Sequence, residues 1–582
     1  MSETSQLAPV DLQAAAAEYE RVLADDPERW DALYLYGTVL LQLGRLGEAI
    51  TVLQRVATLR PEIPDVHNNL GVAYQGTGDA SAAERAYRTA IERNPEFGLA
   101  HVNLSRLLEP TGRIGEAEIC LRRAIHIKLA EAKQRLQPSG VAARLGNHPA
   151  VEPVLEEAIA NLPENIELQM GLAALLVEQE RLDDGGEIYR KVIDRRPDFA
   201  AAHISLAFVL ERQGKLDHAR VTAERAVALR PDYAEAHNNL GSVYRSLHRL
   251  DDACCEFRRA IELKPDFALA EFNLGTTLLL EGRYAEGWVG YGQHARVAGT
   301  SAPGPRSTTW DGQPIPGRRL MLYSDQGLGD ALQFVRFLRL CRERSGARII
   351  LNCQAPLVRL FAECRVADEI CTKEGPLPAF DFHSPLASLP GLFGLALEKV
   401  GREVPYLRST ALRSTTGVPD RIAALLGEPD GRRRVGLVWQ GNPRQTRDVV
   451  RSCQLDTLLP LLDIPGIRFF SLQCEPRGRA QLAASSCADR LPDVGALLSD
   501  FADTAAVLDQ LDLLITVDTG IAHLAGALGR PVWTMLCHTP DWRWHLERSD
   551  SPWYPSMRLF RQPTWGDWDS VVQQIRAALQ AG

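Results

Sequence analysis

The chain has 582 residues, 45% hydrophobic and 24% charged, and at about 100–200 residues per domain that length asks for three or four globular units. A net charge of −9, from 65 Lys and Arg against 74 Asp and Glu, argues against a nucleic-acid partner, which needs a basic footprint. No run approaches the ~20 apolar residues of a membrane span, and the N-terminus lacks a basic segment leading into an apolar one. Eleven scattered cysteines without a C-x-x-C pair predict reduced thiols in a cytoplasmic protein and no structural zinc.

The first half is periodic. Prolines stand at Pro27, Pro61, Pro95, Pro163, Pro197, Pro231 and Pro265, each step 34 residues except one double step where Leu129 takes the place of proline. That is the tetratricopeptide period, two antiparallel helices per repeat. Glycine recurs at Gly37, Gly71, Gly241 and Gly275, where the first helix must lie close to its partner. A small residue recurs at Ala49, Ala83, Ala117, Ala219 and Ala253, where the second helix packs back. About seven or eight repeats over residues 10–296 follow, with a possible split near 130–150, where QPSGVAARLGNHPAVEP interrupts the pattern. Stacked helix pairs make a superhelix with a groove lined by the first helices. Two residues before the glycine position stand Asn69, Asn103, Asn239 and Asn273. A ladder of amides, each both donor and acceptor, can hold an extended acceptor peptide by its backbone. The alternative is that these amides only bridge neighbouring helices.

A Pro-, Gly- and Ser-rich stretch, 297–317, is expected to be a linker between halves with separate cores. Beyond it β and α patterns alternate. Strands are predicted at 318–324, 347–353, 366–371 and 378–382, with helices at 330–344 and 355–363. A second series has strands at 433–439, 467–473, 512–518 and 531–537 and helices at 455–463, 502–510, 520–528 and 567–580. Two blocks, 318–415 and 430–582, therefore predict two facing doubly wound, Rossmann-like parallel sheets after the α-solenoid. Such sheets bind ligands outside their strand C-termini.

Three predicted strand-end loops carry chemistry. Asp325-Gln326-Gly327-Leu328-Gly329-Asp330 runs from strand to helix, where glycines admit a ligand and the helix start favours negative charge. It is neither the dinucleotide fingerprint nor a P-loop. Asp330 reads either as a functional carboxylate or as a first-turn residue stabilised by the dipole. Gln440-Gly441-Asn442-Pro443-Arg444 follows the first strand of the second sheet, with Arg447 and Arg451 beyond, and arginines there suit a diphosphate. Asp518-Thr519-Gly520-Ile521-Ala522-His523 is again a strand-to-helix turn, with a hydroxyl and backbone N–H groups for phosphate. His523 either joins them or is a packed helix residue. His383, in DFHSPLASLP, is expected at another strand end.

These segments together resemble a known arrangement, tetratricopeptide repeats fused to a GT-B glycosyltransferase module. The Gly329-Asp330 turn, GLVWQGNP (436–443), VDTGIAHLAGALGRPVW (517–533), DWRW (541–544) and SPWYP (551–555) are similar to the heptosyltransferase-like family. The overall plan is similar to protein O-GlcNAc transferases and bacterial flagellin glycosyltransferases. The resemblance implies a general base at Asp330; His383, from its expected place at a strand end, is the rival candidate. It also implies a donor diphosphate site at Asp518, Thr519 and Gly520, with Arg451 or Arg447 as its cation; the strand-end loops themselves add Gly327, Gly329, Gln440, Asn442 and His523 to the expected donor site. The expected activity is inverting, metal-independent transfer from a nucleotide-sugar co-substrate, with no other cofactor, to a protein acceptor such as a flagellin or surface protein, on Ser or Thr. The alternatives are a lipopolysaccharide or capsule sugar transferase, and a scaffold that has lost activity.

Overall fold

The structure, a computed structural model, describes residues 9–108, 165–299, 308–396, 403–408, 430–442 and 448–581, with isolated positions between 111 and 127 and between 422 and 428. It divides into two compact units, Met1–Pro197 and Asp198–Gly582. Leu129, the 137–153 interruption and the expected split near 130–150 lie outside the described residues, as does Arg447.

In the first unit, helices Pro9–Asp25, Trp30–Gln42, Leu46–Leu59, Pro64–Gly76, Ala80–Arg93, Gly98–Leu108, Ile166–Glu178 and Leu182–Arg195 follow the predicted repeat. The small residues have the expected cause. Ala49 and Ala83 are fully buried, and a β-carbon on Gly71 would come within 2.4 Å of the Tyr87 ring. The second unit opens with the same pairs: Ala200–Arg212 and Leu216–Leu229, Ala234–Ser246 and Leu250–Leu263, Ala268–Glu281 and Tyr284–Tyr291, then a short helix His294–Ala298.

The rest of the second unit holds two five-stranded parallel sheets. The first contains β1 (Thr308–Thr309), β2 (Arg319–Tyr323), β3 (Arg348–Cys353), β4 (Glu369–Thr372) and β5 (Phe382–Pro385), in the order β1-β5-β2-β3-β4. The second contains β6 (Arg433–Val438), β7 (Ile467–Ser471), β8 (Leu513–Val517), β9 (Val532–Leu536) and β10 (Met557–Arg561), in the order β10-β9-β8-β6-β7. β2 has β3 on one side and β5 on the other, and β6 has β7 on one side and β8 on the other. The order in which strands are added reverses at β2 and β6, so the crevices beside their C-terminal ends are where such sheets take ligands.

Two expectations are corrected here. The 297–317 stretch is not wholly a linker: β1 lies within it and pairs with β5 (Thr308 opposite Phe382), and the next residue, Trp310, is buried at 1% exposure. Nor do the repeats and the sheets of this unit have separate cores. One apolar cluster runs from Leu279, Tyr284, Trp288 and Tyr291 of the last repeat through Phe334 and Leu389 to Trp542, Trp544 and Trp553. The physical reason is that the last repeat has no following repeat to cover it, and its aromatic face is covered by the sheets instead. The far face of the second sheet has its own core, closed by the C-terminal helix Trp568–Gln580 through Val571, Ile575 and Leu579.

Candidate active site

The loops after β2, β6, β8 and β9 converge on one cavity of about 760 Å³. Gln326, Gly327, Leu328, Gly329 and Asp330 come from the first, Asn442 and Arg451 from the second, Asp518, Thr519, Gly520 and His523 from the third, and Pro540, Asp541, Trp542 and Arg543 from the fourth. Gln354 and Pro356 after β3, Phe501, and Arg245, Phe272, Asn273, Thr276, Leu280 and Tyr291 of the repeats complete the wall. The volume is in the usual range for a small-molecule site.

Helix Leu328–Phe334 starts at Gly327, whose backbone N–H donates to Asp330 Oδ2 at 2.9 Å. The other oxygen, Oδ1, accepts from an Arg543 guanidinium nitrogen at 2.5 Å. Asp330 therefore caps its helix, as the first-turn reading expects, and also lines the cavity with a cation beside it. Burial pushes its carboxyl up from the ordinary range while Arg543 holds it down, and the net direction is upward. The last repeat steadies this loop. The Tyr291 hydroxyl donates to Gln326 Oε1 at 3.0 Å, and His294 Nε2 lies 2.6 Å from Asp325 Oδ2 with both side chains 3% exposed.

Helix Gly520–Ala527 begins beside helix Leu328–Phe334, on the same cavity. No side chain caps it, because the hydroxyl of its N-cap, Thr519, turns back toward the Val517 carbonyl oxygen at 3.4 Å. Its first-turn N–H groups are an anion site by geometry and dipole. The two helix starts touch: a β-carbon on Gly329 would come within 2.7 Å of the His523 ring. His523 is buried, and its Nδ1 lies 2.9 Å from the Tyr554 hydroxyl. Burial, with Arg543 nearby, keeps its pKa well below the usual value, so it is a neutral imidazole. Asp518 is pushed up to about 6 by burial and by the Asp541 carboxylate, with Arg451 opposing. Arg451 Nε is 3.2 Å from Asp448 Oδ1. A β-carbon on Gly441 would come within 2.2 Å of that Asp448 oxygen, so this glycine is what lets the loop fold back.

Three sequence readings change. Gln440 does not face the cavity. Its side-chain NH₂ donates to the Cys453 carbonyl oxygen at 2.9 Å and its backbone N–H to Gln473 Oε1 at 3.0 Å, so it holds the loop from behind. His383 is not at a strand end but is the second residue of β5, 4% exposed, with Met321 opposite it in β2, and it does not line the cavity. Three of the asparagines bridge repeats. Asn103 donates to Asn68 Oδ1 at 2.9 Å in the first unit, and Asn273 donates to Asn238 Oδ1 at 2.9 Å in the second. Asn69 donates to Thr38 Oγ1 at 3.4 Å, and Asn239 is 8% exposed. Of the four, Asn273 lines the cavity. A residue that the sequence reading left without a role is Arg543. Its guanidinium is buried among Asp330, Asp541 and Gln333 and lies over the Trp542 ring at 4.3 Å. The signal was an arginine flanked by two tryptophans in DWRW, an unusual setting for a cation.

Residues 474–574, which include the β8 turn and Arg543, match the model for glycosyltransferase family 9 (heptosyltransferase). Tetratricopeptide-repeat models match residues 11–64 and 68–132, 176–240, and 234–267. The chain carries tetratricopeptide repeats and a heptosyltransferase-like domain. Protein FlbA of Caulobacter vibrioides is 28% identical over 341 residues, covering 52% of this chain and 54% of FlbA. The chain thus spans about half the length of that curated relative. Among solved structures, the hetero-tetramer Cut9–Hcn1 of the APC/C is 16% identical with a TM-score of 0.24, covering 46% of this chain and 52% of that one. A tetratricopeptide repeat protein of Parabacteroides merdae is 16% identical with a TM-score of 0.23, covering 46% and 93%. In the heptosyltransferase-like domain the matched residues supply the β8 and β9 sides of the cavity.

Proposed function

We propose that the chain is an inverting glycosyltransferase that moves a sugar from a nucleotide-sugar donor to a hydroxyl of a protein acceptor brought by the repeats. The observation that carries this reading is the single cavity shared by the switch-point loops of both sheets and by repeat residues. Glycosyl transfer needs a base for the acceptor hydroxyl and positive charge for the leaving phosphate. Asp330 would take the proton. The uncapped start of helix Gly520–Ala527, with Arg451, would hold the diphosphate, a division of labour that needs no metal ion. Asn273 and its repeat neighbours would present the acceptor, a Ser or Thr side chain being the simplest hydroxyl. No described helix is long and apolar enough to cross a membrane, and we place the reaction in the cytoplasm, where nucleotide sugars are made.

The direct test is calorimetric titration of the full chain with UDP, GDP, ADP and CMP and their sugar conjugates. Failure to bind every one of them would overturn the reading. With the preferred nucleotide identified, Arg451→Ala is expected to weaken its binding by about 1.5–3 kcal/mol, the range for one lost hydrogen bond to a charged group. An unchanged affinity in Arg451→Ala would take that cation out of the phosphate site.

Asp518 makes a pH prediction. Below about 6 its carboxyl is protonated and neutral, and above about 6 it is an anion facing the same cavity as the diphosphate. Donor affinity is therefore expected to fall as pH rises through that value, and Asp518→Asn to remove this part of the profile. Titrations at pH 5.5 and pH 7.5, values chosen to bracket about 6, separate it from the nucleotide's own ionisation, because only the difference between the two proteins counts.

A further inference from the structure

Within six described repeats the two helices are joined through a residue in the left-handed region. Gly44, Gly78, Gly214 and Gly282 have φ of +72°, +85°, +72° and +89°. Glu180 and His248 hold the same register with side chains, at φ +64° and +59°. A β-carbon is unfavourable there, although histidine tolerates it better than most residues.

The His248 side chain makes a contact that glycine cannot. Its ring stacks on that of His538, with centroids 4.4 Å apart and planes 22° apart, and its Nε2 lies 2.9 Å from the His538 carbonyl oxygen. His538 is in the loop after β9, immediately before the cavity-lining stretch that starts at Pro540. The neighbouring repeats touch the same domain. A β-carbon on Gly214 would come within 2.2 Å of the Trp565 indole, and the Tyr284 hydroxyl is 3.2 Å from His545 Nε2. Successive repeat turns thus run along the second sheet's domain, and the middle one grips the loop that carries Asp541 and Arg543.

We propose that His248 is a positioning residue, a side chain lent by the repeats to hold loop 537–543 in the arrangement that transfer requires. This rests on the transferase reading for its functional consequence. Arg543 is paired with Asp330, so a shift in this loop moves the cation beside the proposed base. The repeats would then act on the chemistry itself as well as on acceptor capture.

His248→Gly is a clean variant, because glycine suits the backbone and removes only the ring. Its melting temperature should equal or exceed that of the wild type. Amide hydrogen exchange in segment 537–545 should rise about five- to tenfold, the size of one lost hydrogen bond. Turnover should fall by a similar factor with the donor KM unchanged. His248→Asn, which also tolerates the backbone, should behave as His248→Gly does. Unchanged exchange in 537–545 would overturn the proposal, and so would wild-type turnover in His248→Gly. The exchange measurement needs no substrate. A wild-type chain that transfers no sugar would therefore sink the transferase reading while exchange alone still decides whether His248 holds the loop.

Discussion

Asp330→Asn should lower turnover by about 10²–10⁴-fold, the usual loss for a general base, while nucleotide affinity stays near that of the wild type. The substitution keeps the shape and lets the amide oxygen go on accepting from the Gly327 N–H. It removes the charge and the acceptor that face Arg543, setting an amide NH₂ against the guanidinium, but Asp541 remains on the same guanidinium at 2.8 Å, so the buried cation is not left alone. Circular dichroism of the variant should match the wild type, which separates lost chemistry from lost folding. A carboxylate with one hydrogen bond on each oxygen still has lone pairs for an acceptor hydroxyl. His383→Asn is the control, and it should retain transfer, since β5 keeps that ring away from the cavity. Asp518 is the sharper rival, because a carboxyl pushed up to about 6 is better matched to neutral pH than an ordinary one. Turnover kept in Asp330→Asn and lost in Asp518→Asn would hand the base to the second sheet.

Trp288→Ala should destabilise the second unit by about 3–5 kcal/mol, a large part of a typical domain stability. The indole is 5% exposed, donates to the Leu395 carbonyl oxygen at 2.9 Å, and meets Trp542 edge-on at 5.4 Å. Urea denaturation followed by tryptophan fluorescence would measure the loss. The same core decides where the chain can be cut. A fragment beginning at Arg318 lacks Tyr284, Trp288 and Tyr291, and also β1 and Trp310, and is expected not to fold. A fragment beginning at Asp198 keeps all of them and should fold and bind nucleotide. A soluble, nucleotide-binding 318–582 fragment would refute the shared core.

The repeats were readable because a 34-residue register constrains many positions at once, as the close contacts at Gly71 and Gly241 bear out. The strand-end loops were readable because glycines and a carboxylate between an apolar strand and a helix have few other uses. What stayed hidden depends on partners remote in sequence. Asn103 looks like a groove residue until Asn68, 35 positions earlier, is brought beside it. Gln440 looks like a ligand-binding amide until Gln473 and Cys453 are found to occupy it. Arg543 meets Asp330 across 213 residues, and only the assembled sheets make that pair. His383 was displaced by register: β5 begins where the predicted strand ends, which moved the ring from the strand's end to its interior.

The aromatic face of the last repeat also bears on how the chain is made. Tyr284 and its partner His545 are 261 residues apart. At about 5–20 residues per second, a ribosome takes about 13–50 s to supply the second after the first. During that interval the earlier repeats can stack on one another as they emerge, whereas Tyr284, Trp288 and Tyr291 await a covering that has not been translated. The nascent chain therefore holds a sticky aromatic surface on its last repeat, and that surface is where a chaperone would be expected to dwell.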